Sequence, residues 1–266
     1  MFNRMYKTGF NWCFKYGKGA SLVLFVGLFL EITKQLINKY FGIDVDGFFL
    51  LESFSLSGGV IFCFTFLVQS WVNLEFLNYI YKGENEEKHG FSIFNNVKPY
   101  IIPAFLGSFI LNLIMIVPTI FMSVVGEMAS LSKGSAKGFW FVLLIVFLLF
   151  VLPLVIILSL RLSFYLEVII VNSIKDPILA LKESFKITKG RVWDIIRILI
   201  LPVLLITIVV IVLAIIIQKT DCFVCDYAGL AGAIVHPLLV AVSFALYLEF
   251  KKNPIREPEN KDQVEE

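Results

Sequence analysis

Six apolar runs, each of about twenty residues or more, constrain this chain more than any other feature. They fall at about 20–40, 56–80, 100–122, 138–160, 194–218 and 230–250. At about 1.5 Å per residue, such a run crosses a hydrocarbon core of about 30 Å as a helix. Inside lipid every backbone N–H and C=O must find a partner within the protein, so helix is the form each run has to take. The expected fold is all-α, a polytopic membrane protein of six transmembrane helices. A hydrophobic content of 58% with 27 Phe and a mean hydropathy of +0.85 agree, since soluble domains hold roughly 45–50% apolar residues.

The segments between runs are patterned as well. Residues 1–18 carry Arg4, Lys7, Asn11, Lys15 and Lys18 at helical spacing, with Phe2, Met5, Gly9, Cys13 and Tyr16 on another face. That pattern predicts a basic amphipathic helix lying on the membrane surface. Residues 84–97 form a charged connector that ends with Phe91, Phe94 and Val97 on one face. Asp176 followed by Pro177 is an N-cap and first-turn pair, because the carboxylate accepts from an orphan N–H and proline has none to leave unpaired. Gly190 is expected at C′ of that short helix. Ile178, Leu181 and Phe185 share its apolar face with Ala180, Ser184 and Ile187 beside them, opposite Lys182, Glu183, Lys186 and Lys189. Arg191 and Trp193 then lead into the fifth run, as an interface requires.

The stretches starting at Phe10, Phe91 and Phe185 each enter a span in the same manner. The chain is read as one membrane domain, 1–251, made of three units of surface helix plus hairpin at about 1–80, 84–172 and 176–251. The competing reading is that any loop between apolar spans looks amphipathic. Residues 252–266 are a polar tail, expected to be disordered. No small-residue cleavage site follows the first run, so no cleavable signal peptide is expected.

Within residues 161–201, Arg161 closes one apolar span, and Ala180, Ser184, Thr188, Gly190 and Trp193 lead into the next. This order resembles the membrane domain of the glycerophosphoryl diester phosphodiesterase family and its uncharacterised six-helix bacterial inner-membrane relatives. The likeness is confined to that stretch. It implies a six-helix fold in a bacterial inner membrane. Family members with the phosphodiesterase activity carry a separate soluble catalytic domain that this sequence does not contain.

Orientation follows from the basic residues. In the six-span arrangement sixteen of the 23 Lys and Arg fall on one side and five on the other, with Arg161 and Arg197 inside spans. Cytoplasmic loops carry the excess of Lys and Arg, so both termini and all three surface helices are expected in the cytoplasm.

Polar groups inside spans cost free energy and need a reason. Counted from the cytoplasmic end, Glu31, Gln69, Asn112, Thr207 and His236 lie at similar depths of roughly 16–21 Å. They form either a binding site or proton relay, with Glu31 and His236 as its titrating pair, or a set of interhelical hydrogen bonds. Arg161, Lys189, Arg191 and Arg197 could hold an anionic lipid headgroup, or else snorkel to the interface. Cys222 and Cys225 form a CFVC sequence on the outer side, open to a disulfide, free thiols or redox chemistry. Glu86, Glu87 and His89 lack the two-histidine spacing of a metalloprotease and read as solvated charge.

No metal site, phosphate loop, dinucleotide fingerprint or nucleophile elbow occurs, so neither an enzyme nor a cofactor is expected. A net charge of +2 gives no argument for nucleic acid. The expected partners are membrane lipids and other membrane proteins. Two functions remain open, a non-enzymatic organiser of lipid or protein partners and a small transporter or permease subunit with a polar site in mid-membrane.

Overall fold

The computed structural model describes residues 2–41, 56–85, 97–133, 135–218 and 227–254, and every element among them is a helix. In chain order they are α1 (Phe2–Lys15), α2 (Gly17–Phe41), α3 (Leu56–Glu84), a short 3-10 turn (Lys98–Tyr100) and α4 (Ile101–Leu131). Then come α5 (Ser135–Val146), a π-turn (Phe147–Val151), α6 (Leu152–Leu162), α7 (Tyr165–Asn172), α8 (Pro177–Ile187), α9 (Val192–Gln218) and α10 (Tyr227–Lys252). Cys222, Cys225, Glu86, Glu87, His89, Phe91, Phe94 and the tail from 255 onward lie outside the described residues.

Four stretches are long and apolar enough to cross a membrane, namely Gly17–Ile37, Gly138–Asn172, Val192–Val212 and Gly229–Lys252. Two shorter apolar stretches, Lys98–Ile114 and Ile120–Leu131, belong to α4. The surface is apolar where these helices face outward. Phe139, Phe141, Val142, Leu149, Phe150 and Leu154 are all exposed along α5 and α6. A contiguous patch of this extent is matched to hydrocarbon and not to water, which makes the fold compatible with a membrane location.

Two helices act as hubs. α10 packs against α1, α2, α3 and α9, while α4 packs against α3, α5, α6, α7 and α8. α3 joins the halves by touching α2, α4, α7 and α10. The core gathers toward one end of this arrangement, where Val72, Leu74, Phe76, Leu77 and Ile80 of α3 meet Ala241, Val242, Phe244, Leu246 and Tyr247 of α10. At the same end Lys15 bridges Glu84 at 2.7 Å, Lys251 donates to Asn172 at 2.7 Å, and Arg191 donates to the carbonyl of Asn253.

Proline shapes several helices by withholding an N–H from the carbonyl four residues back. Pro153 does so just after Phe147–Val151, where the i+4 pattern widens and Leu152 N–H bonds the Phe147 carbonyl instead. A π-turn of this kind re-aims the helix before it. Pro202 leaves the Ile198 carbonyl without its helical donor, and the hydroxyl of Tyr6 in α1 supplies one. Pro237 leaves the Ala233 carbonyl in the same condition.

Several elements depart from the pattern read off the sequence. The third run was bounded at 122, but α4 continues to Leu131 and takes Pro118 into its interior. The fourth run ends where expected, at Leu162, yet its apolar continuation is a separate helix, α7, beyond a break at Ser163 and Phe164. Asp176 caps α8, accepting from Ile178 N–H at 2.8 Å and Leu179 N–H at 3.3 Å. The helix ends at Ile187 with Thr188 as its cap, so Gly190 is not C′ but sits one residue further on. Its φ of 74° serves a tight turn in which Arg191 N–H bonds the Thr188 carbonyl at 3.0 Å, a place that suits glycine.

The buried faces of the amphipathic helices follow expectation to unequal degrees. On the expected face of α1, Met5 and Gly9 are buried, as is Tyr16 just beyond its end, while Trp12 joins them and Cys13 is half-buried. α8 buries Ala180, Leu181, Ser184 and Thr188, whereas Ile178 and Phe185 are exposed. In both cases a small residue sits where another helix comes close, and closeness of approach outweighs side-chain hydrophobicity.

Candidate functional site

Glu31, on α2, is buried among apolar neighbours and takes Lys34 as an ion-pair partner at 2.9 Å. One helical turn separates the two, so the pair forms within a single helix. Gln35 also donates to Glu31 at 3.4 Å. On α3, Gln69 donates to Asn73 at 3.3 Å, again one turn along. On α10, His236 Nε2 lies 3.0 Å from the same Asn73 Oδ1. Because that oxygen only accepts, the ring proton belongs on Nε2.

Glu31, Lys34, Gln69 and His236, with Thr65, form the polar wall of one cavity of about 390 Å³ between α2, α3 and α10. Gly27, Gly229, Gly232 and Ala233 also line it, and their small size leaves the space open. Of the five residues expected in a mid-membrane layer, three therefore meet here. The other two do not line it. Asn112 turns back on its own helix and donates to the Ser108 carbonyl at 2.9 Å, and Thr207 is exposed on α9.

A second cavity, of about 260 Å³, lies between α3, α7, α9 and α10. Asn73, His236 and Ser243 line it together with Glu167. His236 and Leu239 stand between the two cavities and line both. Glu167 is only 3% exposed and accepts from the Ser243 hydroxyl. A chain of hydroxyls holds its helix in place. Ser70 of α3 and Ser108 of α4 are 3.0 Å apart, Ser108 bonds Tyr165 of α7, and Tyr165 donates to the Ala104 carbonyl at 3.3 Å. The ring of Tyr165 fits only because residue 107 is glycine, where a Cβ would come within 2.6 Å of it.

Compared with protein families, with curated proteins and with solved structures, the chain matches none of them. Its site has to be judged on its own geometry.

Arg161 is held in part by the protein itself, while its Nε is buried with no hydrogen-bond partner among the described residues. Arg161 Nη2 donates to the Phe185 carbonyl at 2.9 Å, and its guanidinium stacks 3.3 Å from the Phe185 ring centroid. The backbone carbonyl of Arg161 accepts from both Ser184 and Thr188 at 2.9 Å. Ala180 is fully buried beside them. Most of the pattern in residues 161–201 is thus a clasp that folds α8 back onto the end of α6. Arg191 stacks over Phe250 at 4.5 Å and donates to Asn253, while Lys189 and Arg197 are exposed. None of the four lines either of the two cavities described above.

Glu167 was not singled out from the sequence. A signal existed, because it is the only acidic residue between 138 and 175, and a carboxyl within an apolar run is a functional candidate by default. Among the described residues no three His, Cys, Asp or Glu groups are placed to hold a metal ion. Cys13 and Cys63 are both free thiols.

Proposed function

We propose that this is a six-span membrane protein that binds a small polar solute in the cavity between α2, α3 and α10 and passes it across the bilayer. The observation carrying this reading is that Glu31, Gln69 and His236, from three different helices, line one cavity. The spans in this reading are α2, α3, α4, α5 with α6, α9 and α10. α3 and α4 have 29 and 31 residues, or more than 40 Å each at about 1.5 Å per residue. The excess of Lys and Arg puts the end bearing Glu84, Asn172, Arg191 and Lys251 in the cytoplasm. Assignment to a bacterial inner membrane rests on the resemblance of residues 161–201.

A cavity offering a carboxylate, an ammonium, an amide and an imidazole within apolar walls suits a solute that both donates and accepts, such as a zwitterion. Uptake of a labelled amino-acid mixture into proteoliposomes tests it. Time-dependent uptake above that of empty vesicles, lost in Glu31→Gln and in His236→Ala, is expected. Equal uptake by the wild type and both variants would sink the proposal.

A second reading, a non-enzymatic organiser of membrane lipid, draws on α8 and its flank. Ile178, Leu179 and Trp193 are exposed beside Lys182, Lys186 and Lys189, the arrangement of a helix resting on an anionic surface. Native mass spectrometry of the purified protein should then retain anionic lipid, and Lys182→Glu with Lys186→Glu should release it.

A further inference from the structure

Glu167 presents two carboxylate oxygens to different surroundings. Oε1 accepts from Ser243, whereas Oε2 is buried with no hydrogen-bond partner among the described residues. Among the described residues no lysine or arginine lines the cavity of about 260 Å³ that Glu167 borders. The remaining walls are mostly apolar, with Leu77, Phe164, Leu166, Ile198 and Leu246 among them. Ser163, exposed at the break between α6 and α7, also lines this cavity, so it reaches the protein surface there.

Charge buried without a partner is costly, and a bound cation offsets that cost. The kind of cation follows from the wall. Calcium takes six to eight oxygen ligands, and magnesium an octahedral shell. Here the side-chain oxygens are those of Glu167, Ser163, Ser243 and Asn73 alone. One carboxyl with an unpartnered oxygen, at the edge of apolar walls, instead matches an N–H donor carried on an apolar body. The N⁺–H···O⁻ bond supplies orientation, and burial of the body supplies affinity at roughly 25 cal/mol per Å².

We propose that the cavity between α3, α7, α9 and α10 binds a small organic ammonium compound, with the ammonium donating to the Glu167 carboxylate and the apolar body lying among Leu77, Phe164, Ile198 and Leu246. This site is separate from the solute cavity, touching it only at His236 and Leu239, and does not depend on the transport reading.

The test is a calorimetric titration of the full chain in phosphatidylglycerol nanodiscs with phenethylammonium, and with phenethyl alcohol as its uncharged counterpart. Saturable binding of the ammonium is expected, at least tenfold tighter than the alcohol. Glu167→Gln should weaken it at least tenfold, and Glu31→Gln should leave it unchanged. Absence of saturable binding, equal affinity for the alcohol, or full binding by Glu167→Gln overturns the proposal. Should Glu167→Gln fail to fold, Leu166→Trp, which fills the cavity without touching charge, must abolish binding, and retained binding there overturns it equally. Adding phosphatidylethanolamine to the nanodiscs separates the two sources of such a group. Competition identifies a lipid ammonium headgroup, and an unchanged titration identifies a free amine.

Discussion

Glu84 closes α3 against the corner between α1 and α2, where Lys15 bonds it at 2.7 Å and Tyr16 at 2.8 Å. Burial alone would raise its pKa, but the bonds from Lys15 and Tyr16 outweigh burial and hold it below its ordinary value of 4.5. Lys15 is raised above 10.5, first by its hydrogen bond to Glu84. The depressed carboxyl contributes stability present above pH 4.5 and lost as pH falls through its lowered value. The raised amine contributes stability present below pH 10.5 and lost as pH rises through its higher value. Docking of α1 should therefore hold across the neutral range and loosen at both extremes. Trp12 emission followed against pH checks this, and Glu84→Gln should remove the acid limb while keeping fluorescence at neutral pH. At this scale the sequence is legible where a residue acts on its own neighbours. Asp176 and Pro177 announce a helix start because a cap is a local bond. Glu167 and Ser243 do not announce each other, since only the approach of α7 to α10 joins them.

Among elements, the helices that cross the interior were readable from apolar length, while their ends and interruptions were not. Hydropathy carries no mark at Val151, where the residues on either side are equally oily, and little at Ser163, beyond which the chain stays apolar to Val171. The π-turn has a local cause nonetheless. Pro153→Ala restores the N–H that the Leu149 carbonyl lacks, so the turn should close to ordinary α-helix and rotate α5 against α6 by about 100°, one residue of a 3.6-residue turn. Phe147 now stacks on Phe121 of α4 with ring centroids 4.4 Å apart. A disulfide between Phe121→Cys and Phe147→Cys should form readily with Pro153 present and at least several-fold more slowly in Pro153→Ala. Equal rates would mean that packing from α4, and not the proline, sets the turn. The faces of α1 and α8 teach the same lesson from the other side. Periodicity located both helices and, on α1, the stripe of Met5, Gly9 and Tyr16 that is buried; on α8 the buried stripe depended on where Ala180 meets a neighbour, and that is information held by the neighbour.

At the scale of the whole molecule, the six-span reading makes a prediction about its ends. Tags fused at each terminus should both be reached only from the cytoplasmic side, and protease added to intact cells should spare both. Tags on opposite faces would remove one span or add one, and the solute cavity would have to be redrawn. That the two hubs are α4 and α10 could not be foreseen, since hydropathy assigns every span the same role and contact between spans is a property of pairs. The seat of α1 is the clearest instance. Gly9 lies so near Val242 that a Cβ would come within 2.6 Å of it, Trp12 faces Phe244 at 5.7 Å, and Cys13 donates to the Pro237 carbonyl at 3.6 Å. The helix that seats α1 thus lies more than two hundred residues further along the chain. A copy lacking α10 would leave Gly9 and Trp12 without the helix they pack against. Such a copy would be distinguishable from an intact one at α1, where quality-control proteases and chaperones that read uncovered apolar surface would meet it.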